Sequence, residues 1–209
     1  MTPTRFPARG LYLITPDHGD SASLLERTRA VLPYASCLQY RRKRTDAALR
    51  RVEALALRSL CSEFSTCFIV NDDAELARIA GADGVHLGED DGGVQAAREL
   101  LGANGAIGKS CYDDVALAEA AVAAGANYVA FGAMFPSMTK PHARRATCEL
   151  FAATKHLNVP RVAIGGITPD NAPIAVAAGA DLLAVIGGVF DAPDPVAAAR
   201  MIAAAFDQH

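Results

Sequence analysis

The chain has 209 residues, of which 51% are hydrophobic, and its 20 Lys and Arg against 23 Asp and Glu give a formal net charge of -3. At about 150 residues per domain, this length favours a single domain with a sizeable core. The slightly acidic balance lacks the basic excess that binding to a phosphate backbone needs, so it excludes a general nucleic-acid-binding function. Any anion site must therefore be local.

Cysteine usage and the apolar stretches indicate a cytoplasmic protein that does not contact membranes. The five cysteines are an odd number, contain no CxxC pair and lie mostly in apolar runs, as reduced core thiols do. Residues 1–9 lack the apolar segment of a signal peptide. The Ala- and Gly-rich stretches 115–135 and 172–190 are interrupted by Glu119 and Asp181, among others, so we interpret them as helix–turn–strand units.

Apolar runs of strand length alternate with segments of helical periodicity along the chain. The predicted strands are Leu11–Ile14, Cys37–Tyr40, Cys67–Val70, Gly84–Leu87, Ala106–Gly108, Tyr128–Phe131, Arg161–Ile164 and Leu182–Ile186. Predicted helices include Ala47–Cys61, Asp114–Ala124 and Pro195–Phe206. This order predicts parallel strands joined by helical crossovers. The fold class is therefore α/β, with residues 1–209 forming one (β/α)8 TIM barrel, and an open doubly wound sheet as the alternative.

In such a barrel the carboxyl ends of the strands meet at one mouth, where the chemistry is expected. Polar residues and glycines follow the predicted strands at Gln39, Arg41, Lys43, Asn71, Asp72, Asp91, Ser110, Ser137, Thr139, Lys140, Gly165, Gly166, Gly187 and Gly188. Gln39, Arg41 and Lys43 alternate, so we expect them to point into the barrel, with Arg42 on the outside. A Lys there loses hydration unless an anion compensates it, which predicts an anionic ligand. A structural network with carboxylates is the alternative.

Two kinds of phosphate site follow from these residues. Asp72 and Asp91 could jointly hold Mg²⁺ together with phosphate oxygens, and the neighbouring cations then suggest a pyrophosphate. The glycine pairs 165–166 and 187–188 could present backbone N–H groups to a phosphate, at a place where this barrel commonly binds one. The alternative is that these glycines only turn the chain. The sequence thus predicts two phosphorylated ligands.

Several motifs together resemble the thiamine phosphate synthase family, in order from strand one to strand eight. They are Gln39-x-Arg41-x-Lys43, Asn71-Asp72, Gly81-Ala-Asp-Gly-Val-His-Leu-Gly88 ending at Asp91, Gly108-x-Ser110, Phe131-Gly-x-x-Phe-Pro-Ser-x-Thr-Lys-Pro141, and Ala163-Ile-Gly-Gly-Ile167 with Asn171. The resemblance implies a Mg²⁺-dependent barrel enzyme. It would join a hydroxymethylpyrimidine pyrophosphate to a thiazole phosphate, giving thiamine phosphate and pyrophosphate.

The resemblance also implies a role for each site residue. Its pyrophosphate ligands would be Arg41, Lys43, Asn71, Ser110 and Lys140, and its catalytic residues Arg41, Lys43, Lys140 and Ser110. Asp72 and Asp91 would ligate Mg²⁺, and Gln39 and Asn71 would lie near the pyrimidine. The thiazole phosphate would bind Ser137, Thr139 and the backbone of Gly165, Gly166, Gly187 and Gly188. The pyrimidine C–O bond would break first, giving a stabilised cation.

Some positions depart from the family pattern and leave alternatives open. Glu89 stands where Gln is common, Tyr112 where His is frequent, and Gly187 where Ser is frequent. The alternatives are a thiazole tautomerase-like isomerase and a non-catalytic phosphate-ligand sensor. The retained pyrophosphate and metal residues favour the synthase. For His86, a contact with the pyrimidine and a hydrogen-bonded core position are equally supported. The partners would be small phosphorylated molecules, and a monomer and a homo-oligomer are both compatible.

Overall fold

The computed structural model describes residues 6–43, 45–136 and 145–207. Its strands are all parallel and pair in chain order, and β8 returns to β1 to close a barrel. The eight strands are β1 (Gly10–Ile14), β2 (Ala35–Tyr40), β3 (Cys67–Asn71), β4 (Gly84–Leu87), β5 (Ala106–Tyr112), β6 (Tyr128–Phe131), β7 (Arg161–Ile164) and β8 (Leu182–Val185). The predicted (β/α)8 barrel is therefore confirmed, and the open sheet is excluded.

The strands bury side chains on both faces, which explains their nearly continuous apolar runs. Alternate residues such as Tyr12 and Ile69 face the barrel interior and form one cluster. The residues between them, such as Leu13 and Phe68, face outward and pack under the helices in a second, larger cluster. The barrel is thus a packed core.

Helices surround the barrel and most begin at an aspartate. The helices are α1 (Ser21–Val31), α2 (Ala47–Glu63), α3 (Ala74–Ala80), α4 (Val94–Leu101), α5 (Val115–Ala123), α6 (Glu149–Ala153), α7 (Ala172–Ala177), α8 (Gly187–Phe190) and α9 (Pro195–Ala204). The caps Asp20, Asp46, Asp73, Asp114 and Asp194 each accept a hydrogen bond from a backbone N–H of the first turn. Such caps satisfy donors that the helix leaves free and fix where each helix starts.

Two sequence-based boundaries need correction. Strand β5 runs to Tyr112 rather than ending at Gly108, because its pairing with β6 continues through Ser110. Strand β2 begins at Ala35 rather than at Cys37, and it ends at Tyr40 as predicted, so the residues after Tyr40 belong to the loop at the mouth.

The Ala- and Gly-rich stretches 115–135 and 172–190 are helix–turn–strand units, as predicted. The first contains α5 and β6, and the second contains α7 and β8. Among the described residues, none of the helices combines the length and the apolar character needed to cross a bilayer. All five cysteines are free thiols, and four of them are buried.

Candidate active site

The loop after β2 brings two cations to the mouth. Thr15 is fully buried, and its hydroxyl accepts from the Arg41 backbone N–H at 2.8 Å and donates to the Arg41 carbonyl at 3.1 Å. The Arg41 guanidinium lies 3.7 Å from an Asp17 carboxylate oxygen. That carboxylate also accepts from the backbone N–H of Lys43 at 2.8 Å. The β1–α1 loop therefore holds the segment that carries both cations.

Lys43 lies on the rim rather than inside the barrel. Its side chain is 53% exposed, and its Nζ is 3.1 Å from Oδ2 of Asp72. The expectation that it points inward with Gln39 is wrong, because the strand ends at Tyr40 and its alternation stops there. Gln39 does point inward and is buried. The ion pair between Lys43 and Asp72 is one contact of the kind that the alternative, a structural network with carboxylates, predicts.

Arg42 takes the opposite side of the same loop. As predicted, it lies outside the barrel, where it donates to the carbonyl of Gly19 at 2.6 Å. Its guanidinium is 3.7 Å from Glu53, whose side chain is fully buried. Glu53 also accepts from the hydroxyls of Ser21 and Tyr40, each at 2.6 Å. This buried network anchors the loop from outside and leaves its neighbours free to face the mouth.

Asp72 and Asp91 form a carboxylate pair at the ends of β3 and β4. Asp72 has a left-handed backbone with φ 63° and donates its N–H to the carbonyl of His86 at 2.8 Å. Asp91 accepts from the Gly88 N–H at 3.0 Å. Partial burial and the adjacent Asp72 raise the pKa of Asp91, while the hydrogen bond from the Gly88 N–H and then Lys43 act in the opposite direction. A Cβ on Gly88 would lie 2.6 Å from Oδ2 of Asp91, so glycine leaves this space open.

The chemistry of this pair fits Mg²⁺. Two carboxylates held together resist ionisation, and a cation between them relieves that repulsion. In the described ranges, no cluster of three or more His, Cys, Asp or Glu side chains is arranged to hold a metal. Mg²⁺ is commonly bound by one or two carboxylates with water and substrate phosphate oxygens completing its shell. Asp72 and Asp91 are therefore suited to hold the ion together with a phosphorylated substrate.

Lys109 is a charged residue that the sequence analysis missed. It lies in β5, its side chain faces away from the barrel interior, and its ammonium donates to the carbonyl of Gly88. Gly88 is thus held from both sides, since its N–H donates to Asp91. The sequence does contain a signal for this role, because Lys109 is a charged residue at an outward-facing position of a strand. Lys109 supports the turn that presents the second carboxylate.

A chain of hydrogen bonds crosses the barrel interior below the mouth. The Gln39 amide donates to the Tyr12 hydroxyl at 2.7 Å, and that hydroxyl is 2.9 Å from the Tyr128 hydroxyl. Tyr128 contacts Nδ1 of His86 at 3.1 Å, and Nε2 of His86 contacts the Ser110 hydroxyl at 2.9 Å. We call these five residues the interior chain. His86 is thus a hydrogen-bonded core residue with both ring nitrogens engaged.

Burial sets the protonation of the interior chain. The pKa of His86 is lowered to about 4, mainly by burial and then by Lys109, while Asp91 acts in the opposite direction. Burial raises the pKa values of Tyr12 and Tyr128 well above their usual range. At neutral pH the imidazole is therefore uncharged, and both phenols keep their protons.

The opposite side of the mouth is built from glycines. Gly165 and Gly166 have φ of 100° and 67°, which favour glycine. A Cβ on Gly166 would meet the backbone carbonyls of Phe135 and Pro136, and one on Gly188 would meet the carbonyl of Ile167. Gly187 begins the short helix α8. Close backbone packing alone accounts for glycine at 165, 166 and 188, so the glycines by themselves do not identify a phosphate site.

Asn171 fixes this glycine turn. Its amide donates to the carbonyl of Gly166 at 2.9 Å, and its side-chain oxygen accepts from the N–H of Thr168 at 2.9 Å. The side chain therefore closes the loop after β7 on itself. This gives Asn171, which the motif contains, a structural role.

The structure describes some of the remaining predicted residues and not others. Asn71 ends β3 beside His86 in the sheet register. Ser137, Thr139 and Lys140 lie outside the described residues, which stop at Pro136 and resume at Arg145. Of the departures from the family pattern, Glu89 is exposed and Tyr112 ends β5 with φ 53°.

Comparison with known proteins identifies the family. The sequence model described as "Thiamine monophosphate synthase" matches residues 11–189. A thiamine-phosphate synthase of Xanthomonas campestris pv. campestris is 58% identical over 206 residues, 99% of this chain and 100% of the relative. One from Chromobacterium violaceum is 57% identical over 198 residues, 94% of this chain and 96% of the relative.

A solved structure has the same fold over nearly the whole chain. It is the thiamine phosphate pyrophosphorylase from Pyrococcus furiosus, with a TM-score of 0.86, 30% identity and coverage of 98% of both chains. The family model and these relatives thus cover most or nearly all of the chain. The chain belongs to the thiamine monophosphate synthase family.

Proposed function

We propose that this protein is a transferase that condenses 4-amino-2-methyl-5-hydroxymethylpyrimidine pyrophosphate with 4-methyl-5-(2-phosphoethyl)thiazole to give thiamine phosphate and pyrophosphate. The observation that carries the proposal is the juxtaposition of Lys43, Asp72 and Asp91 at one rim. Lys43 Nζ is 3.1 Å from Asp72, and Asp72 is close enough to raise the pKa of Asp91. A rim with cations and paired carboxylates suits a pyrophosphate accompanied by a divalent metal ion.

The charge of the site favours a dissociative reaction. The aminopyrimidine is electron-rich, so its C–O bond breaks first, leaving a resonance-stabilised cation and pyrophosphate. Arg41, Lys43, Ser110 and Lys140 stabilise the charge that develops on the leaving oxygens. The thiazole nitrogen, positioned on the other side of the cation, then forms the new C–N bond. No protein nucleophile is needed.

The metal assignment follows from the same rim. Asp72 and Asp91 would hold Mg²⁺, and the bound ion would supply positive charge against the leaving pyrophosphate. Lys43, whose Nζ is 3.1 Å from Asp72, would share that work. Asn71 lies next to this pair and contacts the pyrophosphate and the pyrimidine.

The neutral interior suits the pyrimidine. Gln39 is buried beneath the rim, and its amide nitrogen is already committed to Tyr12 at 2.7 Å. Its amide oxygen is therefore the group that accepts a hydrogen bond from the pyrimidine amino group. The uncharged His86 adds no positive charge beside the pyrimidine cation.

The thiazole phosphate belongs on the other side of the mouth. We assign it to backbone N–H groups of Gly165, Gly166, Gly187 and Gly188, with Ser137 and Thr139. The free thiols of the chain suit a reducing compartment, and we place the enzyme in the cytoplasm.

The test is product formation by the purified chain. Protein is incubated with Mg²⁺ and both substrates, and thiamine phosphate is measured by mass spectrometry. We expect thiamine phosphate only when both substrates are present. Binding of both substrates without pyrophosphate release would indicate a sensor instead. Turnover of a thiazole phosphate tautomer without use of the pyrimidine substrate would indicate an isomerase.

A further inference from the structure

The hydrogen bonds of the interior chain can all donate in one direction, which begins at Gln39. The Gln39 amide nitrogen can only donate, so the Tyr12 oxygen accepts from it at 2.7 Å. The Tyr128 hydroxyl is 2.9 Å from that oxygen, and the Cys37 thiol is also in hydrogen-bond contact with Tyr12. The chain runs from Gln39 to His86 when the single proton of Tyr12 points to Tyr128. The Tyr128 proton in turn points to Nδ1 of His86, at 3.1 Å. In this direction Nδ1 is an acceptor, and the imidazole proton lies on Nε2.

This direction decides what Ser110 can do. With the proton on Nε2, His86 donates to the Ser110 oxygen, which lies 2.9 Å away. The hydroxyl proton of Ser110 is then free to point away from His86, toward the mouth. In the reverse direction Ser110 would donate to His86, and its lone pairs would face the pyrophosphate. Pyrophosphate oxygens only accept, so the first direction is the one that serves this substrate.

Burial supports this direction, because it raises the pKa values of both phenols well above their usual range. Each hydroxyl therefore keeps one proton to give. The His86 side chain is buried, with one hydroxyl at each ring nitrogen. Buried polar groups of this kind need partners, and each link depends on the one before it.

The glycine of the Gly108-x-Ser110 motif makes room for the Tyr128 ring of the interior chain. Gly108 is paired with Tyr128 in the sheet register, and a Cβ on it would collide with the Tyr128 phenol ring. The opposite face of that ring stacks on Phe6, with centroids 3.8 Å apart and planes 4° from parallel. Gly108 thus leaves room for the ring that orients His86.

We propose that Tyr12 and Tyr128 are positioning residues that hold His86 as its Nε2–H tautomer and thereby turn the Ser110 hydroxyl proton toward the leaving pyrophosphate. The inference rests on the proposed function for its role in turnover. Its structural part, the tautomer, is independent of any substrate. Neither tyrosine touches the reacting atoms, since both act through His86.

The tautomer is measured directly by two-bond ¹⁵N–¹H correlation spectra of the substrate-free protein labelled at histidine, near pH 7. The chain has five histidines, so the His86 signals are assigned by their loss in His86→Asn. We expect the proton on Nε2. A proton on Nδ1 would overturn the inference, whether or not the protein makes thiamine phosphate.

The variant test is Tyr128→Phe, which keeps the ring between Phe6 and Gly108 and removes only the hydroxyl. We expect the His86 spectrum to lose its single Nε2–H pattern. Turnover should fall about fivefold to tenfold, the effect of one hydrogen bond, with an unchanged KM for the thiazole phosphate. The matched control is Tyr40→Phe, which removes a buried hydroxyl from the outer wall and should leave the His86 spectrum as in the unaltered protein.

Each outcome decides the question. If Tyr128→Phe folds and keeps both the Nε2–H pattern and full turnover, the positioning role is refuted. If it does not fold, Tyr12→Phe replaces it and should shift the spectrum in the same direction by a smaller amount; an unchanged spectrum would refute the role. If the unaltered protein forms no thiamine phosphate, the proposed function fails, while the spectrum still reports the tautomer.

Discussion

The two halves of the mouth are built on different principles. The charged half, Arg41, Lys43, Asp72, Asp91 and Ser110, uses side chains that other residues hold in place. In the glycine half, which consists of Gly165, Gly166, Gly187 and Gly188, the backbone packs closely on other backbone at Gly165, Gly166 and Gly188. The first half can be tested by changing charge at constant shape, and the second by adding volume at constant charge. We therefore expect changes in the two halves to affect different substrates.

The largest effect is expected from Asp91→Asn. The amide oxygen can still accept from Gly88, but one charge of the carboxylate pair is lost, and turnover should fall by about 100-fold or more. Because the pKa of Asp91 is raised in the fold, its ionised form opposes folding at neutral pH. The metal-free variant should therefore melt no lower than the unaltered protein.

Asp90→Asn is the control for that variant. Asp90 is adjacent and exposed, so its charge is screened, and its removal should change turnover by less than about twofold. Steady-state rates and thermal melting of both variants check the prediction. Equal losses of turnover would contradict the assignment of Asp91 to the metal.

The second prediction concerns the neutral interior beneath the charged half. The pKa of His86 is about 4, below its ordinary value of 6.5, so the neutral form favours the fold. That stability is complete above about pH 6.5 and decreases as the pH falls toward 4, by about 3 kcal/mol in total. Denaturant unfolding at pH 7 and pH 4.5 should show a smaller loss in His86→Gln.

His156 supplies the comparison for that experiment. It is exposed, on the outer surface beside Glu119, so His156→Gln should keep the acid sensitivity of the unaltered protein. The same acid loss in His86→Gln and in the unaltered chain would show that His86 is not its source.

The third prediction addresses the glycine half. Gly166→Ala places a Cβ against the carbonyls of Phe135 and Pro136 at a φ of 67°, which should cost about 1–3 kcal/mol of stability. The KM for the thiazole phosphate should rise, with less effect on the KM for the pyrimidine substrate. Gly93→Ala is the control, because a Cβ there meets nothing within 4 Å. A rise confined to the pyrimidine KM would reverse the assignment of the two halves.

The smallest effect is expected from Glu89→Gln. Glu89 is exposed next to the carboxylate pair, so its charge is largely screened by solvent. The apparent affinity for Mg²⁺ should change by less than about threefold. A titration of activity with Mg²⁺ measures it, and a tenfold change would place Glu89 among the residues that hold the ion.

Much of the fold could be predicted because its signals are local. Eight apolar runs separated by helical segments were enough to identify the barrel, and the family motifs were enough to identify the family. The end of β5 was missed because Lys109 and Ser110 interrupt the apolar run. Only the pairing with β6, which shows an irregularity between Ser110 and Tyr112, extends the strand. Such pairing is a tertiary property.

The site was predicted less completely, for the same reason. Carboxylates and cations after the strands are visible in the sequence, as is the outward position of Arg42. Tyr12 and Tyr128 begin or lie within apolar runs and look like ordinary core residues there. Their hydroxyls acquire a role only because residues 116 positions apart meet inside the barrel. The signal available in the sequence was that Tyr12 and Tyr128 place a hydroxyl at inward-facing positions of their strands.

The central claim is that the charged half holds pyrophosphate and the glycine half does not. Calorimetric titration of inorganic pyrophosphate with Mg²⁺ into the unaltered protein, Asp91→Asn and Gly166→Ala tests it most directly. Asp91→Asn should weaken binding by about tenfold or more, and Gly166→Ala should change it by less than about twofold. Binding that is unaffected by Asp91→Asn, or weakened as much by Gly166→Ala, would contradict the account.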